Sequence, residues 1–261
     1  MQTCVDGRPG LECGMQIPEP TFPTTLMVTE QAIDLSGLGP AQQAFYRQLF
    51  EQLVQRHQAS GKARGVVGFA GPTGAGKSVV AMLLKAFACQ VALPFAFEAI
   101  TIDAYHFPND YLLSHFSDGV ALKQVKGRFD TYDVAALVRD LTGFKAGEPV
   151  AFPAYSRQLH NPVPGQVKVT EAPTLLLVEG LWLLAETGGW APVKPLLDYC
   201  YFIEADPERT REGVLQRHMR GGRTREDAAR HYAEVDGKNS ERVMATRNRA
   251  DEVLPPYYLV K

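Results

Sequence analysis

Short apolar runs alternate with helical segments along most of the chain after residue 65. Four of these runs have the length of a strand and carry almost no polar position, a pattern typical of parallel strands that are covered on both faces. They span residues 65–70, 97–102, 174–178 and 199–203. A fifth strand is expected within residues 251–260, where two consecutive prolines would restrict its pairing. Strands that alternate with helices predict an α/β fold with a parallel sheet.

The region before this pattern predicts one helix. Pro40 suits the first position of a helix, and the pattern continues to about residue 60. The apolar residues at helical spacing are Phe45, Leu49 and Leu53. We therefore expect an amphipathic helix that packs on the main domain. Residues 1–37 are rich in Pro, Thr and Gly, which predicts irregular structure apart from a strand-like patch at 25–28.

The composition narrows the range of binding partners. The 261 residues are 45% hydrophobic and 21% charged, and the net charge of -2 gives no attraction to nucleic acid or to an anionic membrane. No run of about 18 uncharged apolar residues is present, and the opening stretch lacks the pattern of a signal peptide. A cytoplasmic protein without nucleic-acid or membrane partners is therefore expected. Cys89 and Cys200 lie in apolar runs, which predicts reduced core cysteines.

A glycine-rich loop follows the first of the four strands. It matches G-x-x-x-x-G-K-S, the pattern of a loop that binds nucleoside triphosphates. The matching residues are Gly71, Pro72, Thr73, Gly74, Ala75, Gly76, Lys77 and Ser78. The strand before the loop and the helix after it direct backbone N–H groups and the positive end of the helix at one anion. We expect Lys77 to reach the β- and γ-phosphates of ATP and Ser78 to bind Mg²⁺. A tight strand-to-helix turn without a ligand is the alternative.

Two acidic residues follow the predicted strands, Asp103 after the second and Glu179 after the third. Ligands of parallel sheets lie beyond the carboxyl ends of the strands, so both residues are candidates for chemistry. Phosphoryl transfer to a hydroxyl uses one carboxylate to accept the proton, and a second can hold the metal. Asp103 suits the first role and Glu179 the second. The reverse assignment and simple helix capping are the alternatives.

An arginine-rich segment surrounds the pair Gly221-Gly222. Its arginines are Arg217, Arg220, Arg223 and Arg225. Helical patterns flank the glycines, and a helix, a glycine hinge and a second helix are typical of a mobile lid. On such a lid Arg217 and Arg220 would stabilise charge on the transferred group, and Arg223 would bind the nucleotide. The alternative is a solvated basic face that pairs with nearby acidic residues.

Several motifs in this order resemble the superfamily of small-metabolite kinases that contains uridine kinase, phosphoribulokinase and bacterial pantothenate kinase. Besides the phosphate loop, these motifs are residues 102–107, 126–133, 153–157, 178–180, 217–225 and 249–251. Gly189-Trp190 adds a likeness to the branch described as nucleoside/nucleotide kinase-like or fructose transport system kinase-like. The resemblance covers roughly residues 65–254.

The resemblance implies a P-loop NTPase three-layer sandwich with a parallel five-stranded sheet in the order 2-3-1-4-5, a helical lid and the N-terminal helical extension. It also implies Asp103 as the catalytic base, Glu179 near Mg²⁺ and the lid arginines on the phosphates. The residues that match acceptor-facing positions, or lie beside a matched motif, are His106, Arg128, Tyr155, Arg157 and His160.

These observations divide the chain into an extension and a kinase domain. The parts are 1–61 for the extension, 62–261 for the kinase domain, 105–171 for its acceptor-binding insertion and 217–238 for its lid. The expected function is ATP- and Mg²⁺-dependent transfer of the γ-phosphoryl group to a hydroxyl of a sugar, a nucleoside or a pantothenate-like alcohol. A nucleoside monophosphate kinase, and a nucleotide-dependent ATPase or switch protein, are the alternatives. A small-molecule acceptor is the expected partner, and the sequence is compatible with a homodimer.

Overall fold

The computed structural model describes residues 17–256 of the chain. Its strands are β1 (Thr25–Val28), β2 (Gln31–Asp34), β3 (Arg64–Ala70), β4 (Ala96–Thr101), β5 (Phe116–Ser117), β6 (Val120–Ala121), β7 (Val150–Ser156), β8 (Asn161–Val169), β9 (Thr174–Glu179), β10 (Tyr199–Ile203) and β11 (Glu252–Leu254). Its helices are α1 (Pro40–Ser60), α2 (Lys77–Ala88), α3 (Asn109–Ser114), α4 (Val134–Lys145), α5 (Pro207–Arg220), α6 (Arg225–His231) and α7 (Gly237–Met244). A π-helical turn, Tyr232–Asp236, joins α6 to α7.

Five strands form one parallel sheet, in the order β4-β9-β3-β10-β11. Numbered along the chain, this order is 2-3-1-4-5, as the family resemblance implied. Every residue of β3 and β9 is buried, because apolar layers cover both faces of the sheet. The last strand is short because Pro255-Pro256 follow it and cannot donate to a ladder. Residues 257–260 of the expected fifth strand lie outside the described residues.

Two apolar clusters lie on opposite faces of this sheet. Alternate residues of β3 point into them, Val67 into one and Val66 into the other. In the first cluster α1 packs on α2, and the rings of Phe50 and Phe87 lie 5.8 Å apart. The second cluster contains α4 and the fully buried Trp190. Burial of one such side chain contributes ~1.5–3 kcal/mol. Helix, sheet and helix thus form the three layers that were expected.

The N-terminal extension contains a hairpin as well as the predicted helix. Helix α1 has the bounds that its pattern predicted. Before it, β1 and β2 pair antiparallel through a two-residue turn of Thr29 and Glu30, at φ 46° and 65°. Irregular structure was therefore a wrong expectation for residues 31–34. Buried Leu26 and Val28 hold β1 against the main domain. Glycine or asparagine usually occupies such a turn, so the sequence carried no hairpin signal.

The segment between β4 and β9 contains α3, α4 and the β7–β8 hairpin. Arg64, at the start of β3, holds two parts of this segment. Its guanidinium donates hydrogen bonds to the carbonyl oxygens of Phe144 at 2.9 Å, of Glu148 at 2.6 Å and of Thr170. Phe144 lies near the end of α4 and Thr170 follows β8. One buried cation thus fixes both α4 and the hairpin to the central sheet.

Two smaller expectations have different outcomes. Cys200 is buried on β10, as predicted, whereas Cys89 is exposed. The core assignment of Cys89 was wrong because this residue caps the end of α2, where the chain leaves the apolar cluster.

Within residues 17–256, no helix is both long enough and apolar enough to cross a membrane.

Candidate active site

The glycine-rich loop connects β3 to α2 at the carboxyl edge of the sheet. Gly76 takes the left-handed φ of 85° directly before the first residue of α2. Gly71 leaves the strand at φ 147°, and a Cβ on it would lie 2.6 Å from the carbonyl oxygen of Ile203. Only glycine fits both positions. The loop therefore turns tightly around the N-terminus of α2, where backbone amides and the helix dipole favour an anion.

Lys77 and Thr73 are the polar side chains of this loop that fit a triphosphate. The buried Nζ of Lys77 donates to the carbonyl oxygen of Pro72 at 2.8 Å. Burial lowers the pKa of Lys77 to about 8, against the attraction of Glu179 and Asp103. The hydroxyl oxygen of Thr73 is buried and has no hydrogen-bond partner. A partly desolvated cation and an unpaired hydroxyl both suit phosphate oxygens, so these residues fit the triphosphate of ATP.

Ser78 and Glu179 form the candidate metal site. The Ser78 hydroxyl donates to Oε1 of Glu179 at 2.8 Å. Glu179 ends β9 and is buried, and burial raises the pKa of its carboxyl against the opposing charge of Lys77. A divalent cation beside this carboxylate would favour its charged form. Because Mg²⁺ prefers hydroxyl, carboxylate and water oxygens, the pair fits this ion.

Asp103 lies in the 3₁₀ turn that follows β4, and its side chain is 42% exposed. Its Oδ1 accepts a hydrogen bond from the Tyr132 hydroxyl at 3.3 Å and lies 3.9 Å from Nε2 of His106. The turn is capped by another residue, because the Thr101 hydroxyl accepts from the backbone N–H of Asp103. The Asp103 carboxylate is thus presented to a ligand rather than used as a helix cap.

His106 is a neutral, oriented neighbour of Asp103. Burial lowers the pKa of His106 to about 4, against the attraction of Asp103. Its Nδ1 lies 3.0 Å from the carbonyl oxygen of Thr131. Because a carbonyl oxygen only accepts, Nδ1 carries the proton and Nε2 offers a lone pair. The ring of Tyr132 stacks on the imidazole at 3.8 Å between centroids and fixes its orientation. Both Nε2 of His106 and Oδ1 of Asp103 can accept the hydrogen of a nearby hydroxyl.

A cavity of about 240 Å³ opens beside Ser78 and Glu179. Most of its lining is apolar and comes from α2, β4, β7 and β8, namely Ala81, Met82, Ala99, Ile100, Pro153, Ala154 and Val167. Tyr155 of β7 also lines it, and one wall is the Thr29-Glu30 turn of the N-terminal hairpin. The backbone N–H of Gln158 donates to the Glu30 carboxylate at 3.0 Å, which joins this turn to the segment after β7.

The lid brings a second group of cations to the same edge. Arg217 on α5 is half-buried; burial lowers its pKa, and Asp236 opposes this. Two other charges act on Arg217. The positive charge of Arg157 also lowers its pKa, and the negative charge of Asp103 opposes this. Nε of Arg157 is buried without a hydrogen-bond partner. Two arginines that repel each other beside Asp103 favour a bound anion between them.

The remaining lid arginines are exposed. Arg225 pairs with Glu212 at 3.1 Å, in keeping with a solvated basic face at that position. Arg220 and Arg223 make no ion pair within 4.0 Å to a carboxylate of residues 17–256. They lie at the end of α5 and just after the glycine hinge. The charge of Arg223 acts on His160 and on His231.

Two predicted acceptor residues are engaged elsewhere. Arg128 donates to both carboxylate oxygens of Asp130, at 2.7 Å each. The side chain of His160 is exposed, and its backbone has φ 47°. Its carbonyl oxygen accepts a hydrogen bond from Lys126 at 2.6 Å. Neither residue is brought into contact with Asp103.

Sequence reasoning did not assign three residues that the fold brings to this site. Tyr132 lies within a motif that was recognised, and a tyrosine between polar residues was the available signal. Lys126 opens the same motif. Glu30 has no signal in the sequence, because its position depends on a turn that the residue pattern does not predict.

The phosphate loop, the candidate Mg²⁺ ligands and the strand-end aspartate on this sheet define a P-loop kinase. The model of the phosphoribulokinase/uridine kinase family matches residues 66–257. The chain belongs to this family.

Individual relatives agree with this membership. The uncharacterised protein YggC of Escherichia coli (strain K12) is 32% identical over 209 residues, which cover 80% of this chain and 85% of that protein. The pantothenate kinase of Brucella abortus (strain S19) is 28% identical over 242 residues, covering 82% of this chain and 73% of the relative. A crystal structure from Silicibacter sp. TM1040, provisionally assigned as a fructose transport system kinase, superposes with a TM-score of 0.64 at 25% identity. It covers 74% of this chain and 90% of its own.

Proposed function

We propose that this protein transfers the γ-phosphoryl group of ATP, with Mg²⁺, to a hydroxyl group of a small metabolite. One observation carries the proposal. The Asp103 carboxylate is exposed to a ligand, is held by the Tyr132 hydroxyl at 3.3 Å, and lies close enough to Lys77 for its charge to oppose the lowering of the Lys77 pKa by burial. A carboxylate so near the phosphate loop is the group that an attacking hydroxyl needs.

Each side chain then has a defined role in the transfer. Asp103 orients the acceptor hydroxyl and accepts its proton as the new bond to phosphorus forms. Lys77 and Arg217 stabilise the negative charge on the phosphoryl oxygens. Ser78 and Glu179 would hold Mg²⁺, which supplies charge neutralisation on the phosphates when it is bound. Closure of the lid would bring Arg220 and Arg223 toward the nucleotide and exclude water.

The acceptor is proposed to lie between Asp103 and the cavity beside Tyr155. The family and its relatives support a small-metabolite kinase in general, and their acceptors differ, so they do not identify the acceptor of this chain. A hydroxyl of a sugar, a nucleoside or a pantothenate-like alcohol fits the chemistry at Asp103. A small-molecule acceptor is also the partner that the mostly apolar cavity favours.

The test is ADP release by the full chain over a panel of sugars, nucleosides, pantothenate and related alcohols, with Lys77→Ala as the blank. Asp103→Asn should lower kcat by ~10²–10⁴, the usual contribution of a general base, without weakening ATP binding. The control is Asp110→Asn, which removes an exposed carboxylate from the same insertion.

Two results would contradict the proposal. Turnover that survives Asp103→Asn would favour a nucleoside monophosphate kinase, because a phosphate acceptor needs no base. ATP hydrolysis that no compound of the panel changes, together with nucleotide-dependent binding of a protein, would favour a switch protein.

A further inference from the structure

Lys123 and Lys126 form a lysine pair in the insertion, beside the candidate active site. The Nζ atoms of both donate to one oxygen, Oδ1 of Asn109, at 2.5 Å and 3.2 Å. Nζ of Lys126 also donates to the carbonyl oxygen of His160 at 2.6 Å. These oxygens are uncharged, so two half-buried cations share neutral partners alone. The arrangement concentrates positive charge without neutralising it.

Other half-buried lysines of this chain form an ion pair with a carboxylate. Nζ lies 2.5–3.0 Å from a carboxylate oxygen in Lys85, Lys145 and Lys194. Neither Lys123 nor Lys126 has a carboxylate within 4.0 Å in the part of the chain that the structure describes. Burial and the charge of Lys123 lower the pKa of Lys126 to about 8, against the attraction of Asp103, which makes no direct contact with this lysine. Such a pair is unfavourable in the free protein and becomes favourable once an anion binds it.

The lysine pair faces the acceptor side of the site. Nζ of Lys126 lies 5.1 Å from the centre of the Tyr155 ring, and that ring lines the cavity. Tyr155 is in turn 6.2 Å from the ring of His106, which lies beside Asp103. Two residues after Tyr155, the buried Nε of Arg157 has no hydrogen-bond partner. Lys123, Lys126 and Arg157 thus form a group of cations, the cationic wall, which the Tyr155 ring connects to His106 beside the proposed base.

We propose that Lys123, Lys126 and Arg157 bind an anionic group of the acceptor, a carboxylate or a phosphate, so that the substrate is a hydroxy acid or a phosphorylated alcohol. The assignment of its hydroxyl to Asp103 rests on the proposed kinase function. Charge-assisted hydrogen bonds to the anion would fix one end of the acceptor. The other end, with the reacting hydroxyl, would then be held at Asp103. A neutral nucleoside or sugar would leave the lysine pair without an anionic partner.

The phosphate loop does not account for the lysine pair. Lys77 and the Thr73 hydroxyl belong to the phosphate loop, and the charge of Arg217 acts on Lys77. The lysine pair lies in the insertion, where Lys126 contacts the ring of Tyr155, and that ring lies 6.2 Å from the ring of His106. Its charge is therefore placed to select the acceptor rather than to bind ATP.

The first experiment measures anion binding without any turnover. The full chain is saturated with Mg²⁺ and a non-hydrolysable ATP analogue, so that the phosphate loop is filled, and is titrated with acetate and with inorganic phosphate by ligand-observed NMR. We expect at least one of the two anions to bind, and the double variant Lys123→Met/Lys126→Met to bind it at least about tenfold more weakly. Lys168→Met, an exposed lysine of the same insertion, is the charge-matched control.

The second experiment compares acceptors that differ mainly in charge, in the ADP-release assay. The matched pairs are glycerate with glycerol, pantothenate with pantothenol, and ribose 5-phosphate with ribose. The anionic member of at least one pair should have a kcat/KM about 100-fold above its neutral partner. The double variant should reduce this preference by about tenfold or more through KM, and Lys126→Arg should retain most of it. The glycerate and pantothenate pairs test a carboxylate, and the ribose 5-phosphate pair tests a phosphate, so the assay shows which anionic group the site binds.

The outcomes separate the two proposals. Binding of neither anion, or binding that the double variant leaves unchanged, overturns the anionic acceptor. If the neutral acceptors are turned over as fast as their anionic partners, and the double variant does not change this, the anionic acceptor is also overturned. The kinase function is then supported. Lysine-dependent anion binding without ADP release from any compound overturns the kinase function and keeps the anion site. Circular dichroism of the double variant shows whether a loss of binding reflects unfolding.

Discussion

The donor and acceptor halves of this site are built in different ways. The donor half is one continuous loop, residues 71–78, completed by Glu179 from the neighbouring strand. The proposed acceptor half collects Asp103, Tyr132 and Tyr155 from a turn, a loop and a hairpin that are far apart in the sequence. Local backbone geometry therefore fixes the donor chemistry. Tertiary contacts fix the acceptor, so its specificity can change while the donor half stays constant.

The largest effect should come from the donor half. Lys77→Ala removes the buried cation of the phosphate loop and should lower kcat by about 10³-fold, because each charge-stabilising group is worth ~10²–10³. Acceptor binding should be unaffected if the two halves are separable. The measurement is steady-state ADP release together with acceptor titration. Lys168→Ala is the control, and a parallel loss of acceptor affinity in Lys77→Ala would contradict the separation.

A smaller effect is expected in the acceptor half from Tyr132→Phe. The variant keeps the ring that stacks on His106 and removes the hydroxyl that donates to Asp103. The loss of one hydrogen bond to a carboxylate should lower kcat about tenfold. Its nucleotide affinity, measured by calorimetry, should equal that of the wild type. A change confined to nucleotide affinity would place Tyr132 in the donor half instead.

Nucleotide affinity should depend on pH through Lys77. Its pKa is lowered to about 8 in the free protein, and bound phosphates favour the charged form and so raise it. Above pH 8, nucleotide binding therefore takes up a proton. The nucleotide affinity is highest below this pH and falls as the pH rises above it. Between pH 7.5 and 9 the affinity should drop about five- to eightfold. Calorimetry in two buffers of different ionisation enthalpy measures the proton uptake directly; constant affinity over this range would exclude the linkage.

The smallest effect is expected at the edge of the acceptor half. Glu30→Gln weakens the contact of the N-terminal turn with the backbone N–H of Gln158. Because this carboxylate is exposed, KM for the acceptor should rise only about two- to threefold, with kcat unchanged. Asp34→Gln, on the far strand of the same hairpin, provides the control. A change in kcat but not in KM would show that the hairpin does not line the acceptor pocket.

The sequence predicted the donor half well because its determinants are local. A buried strand, a glycine loop and an apolar helix are contiguous, and Gly71 and Gly76 occupy the positions that require glycine. The parallel strands were predicted from apolar runs, and their order came from the family resemblance. Asp103 and Glu179 were predicted to lie at one edge of the sheet because the carboxyl ends of parallel strands meet there.

The acceptor half could be predicted only in part. Tyr155 and Arg157 were recognised from a motif, but the motif did not show that Nε of Arg157 is buried and unpaired. Arg128 was placed with them, although its guanidinium is bound to Asp130. The lysine pair was missed because a charge pattern in a sequence does not reveal which cations lack a counter-ion. Burial and the distances between elements decide this, and both arise from tertiary packing.

The N-terminal hairpin lies outside the region that the family model matches, since that region begins at residue 66. Its Thr29-Glu30 turn nevertheless forms one wall of the cavity. This wall therefore comes from a segment that contains none of the phosphate-loop residues. For protein engineering, replacements confined to the Thr29-Glu30 turn would reshape this wall and leave the buried Leu26 and Val28 of the hairpin in place.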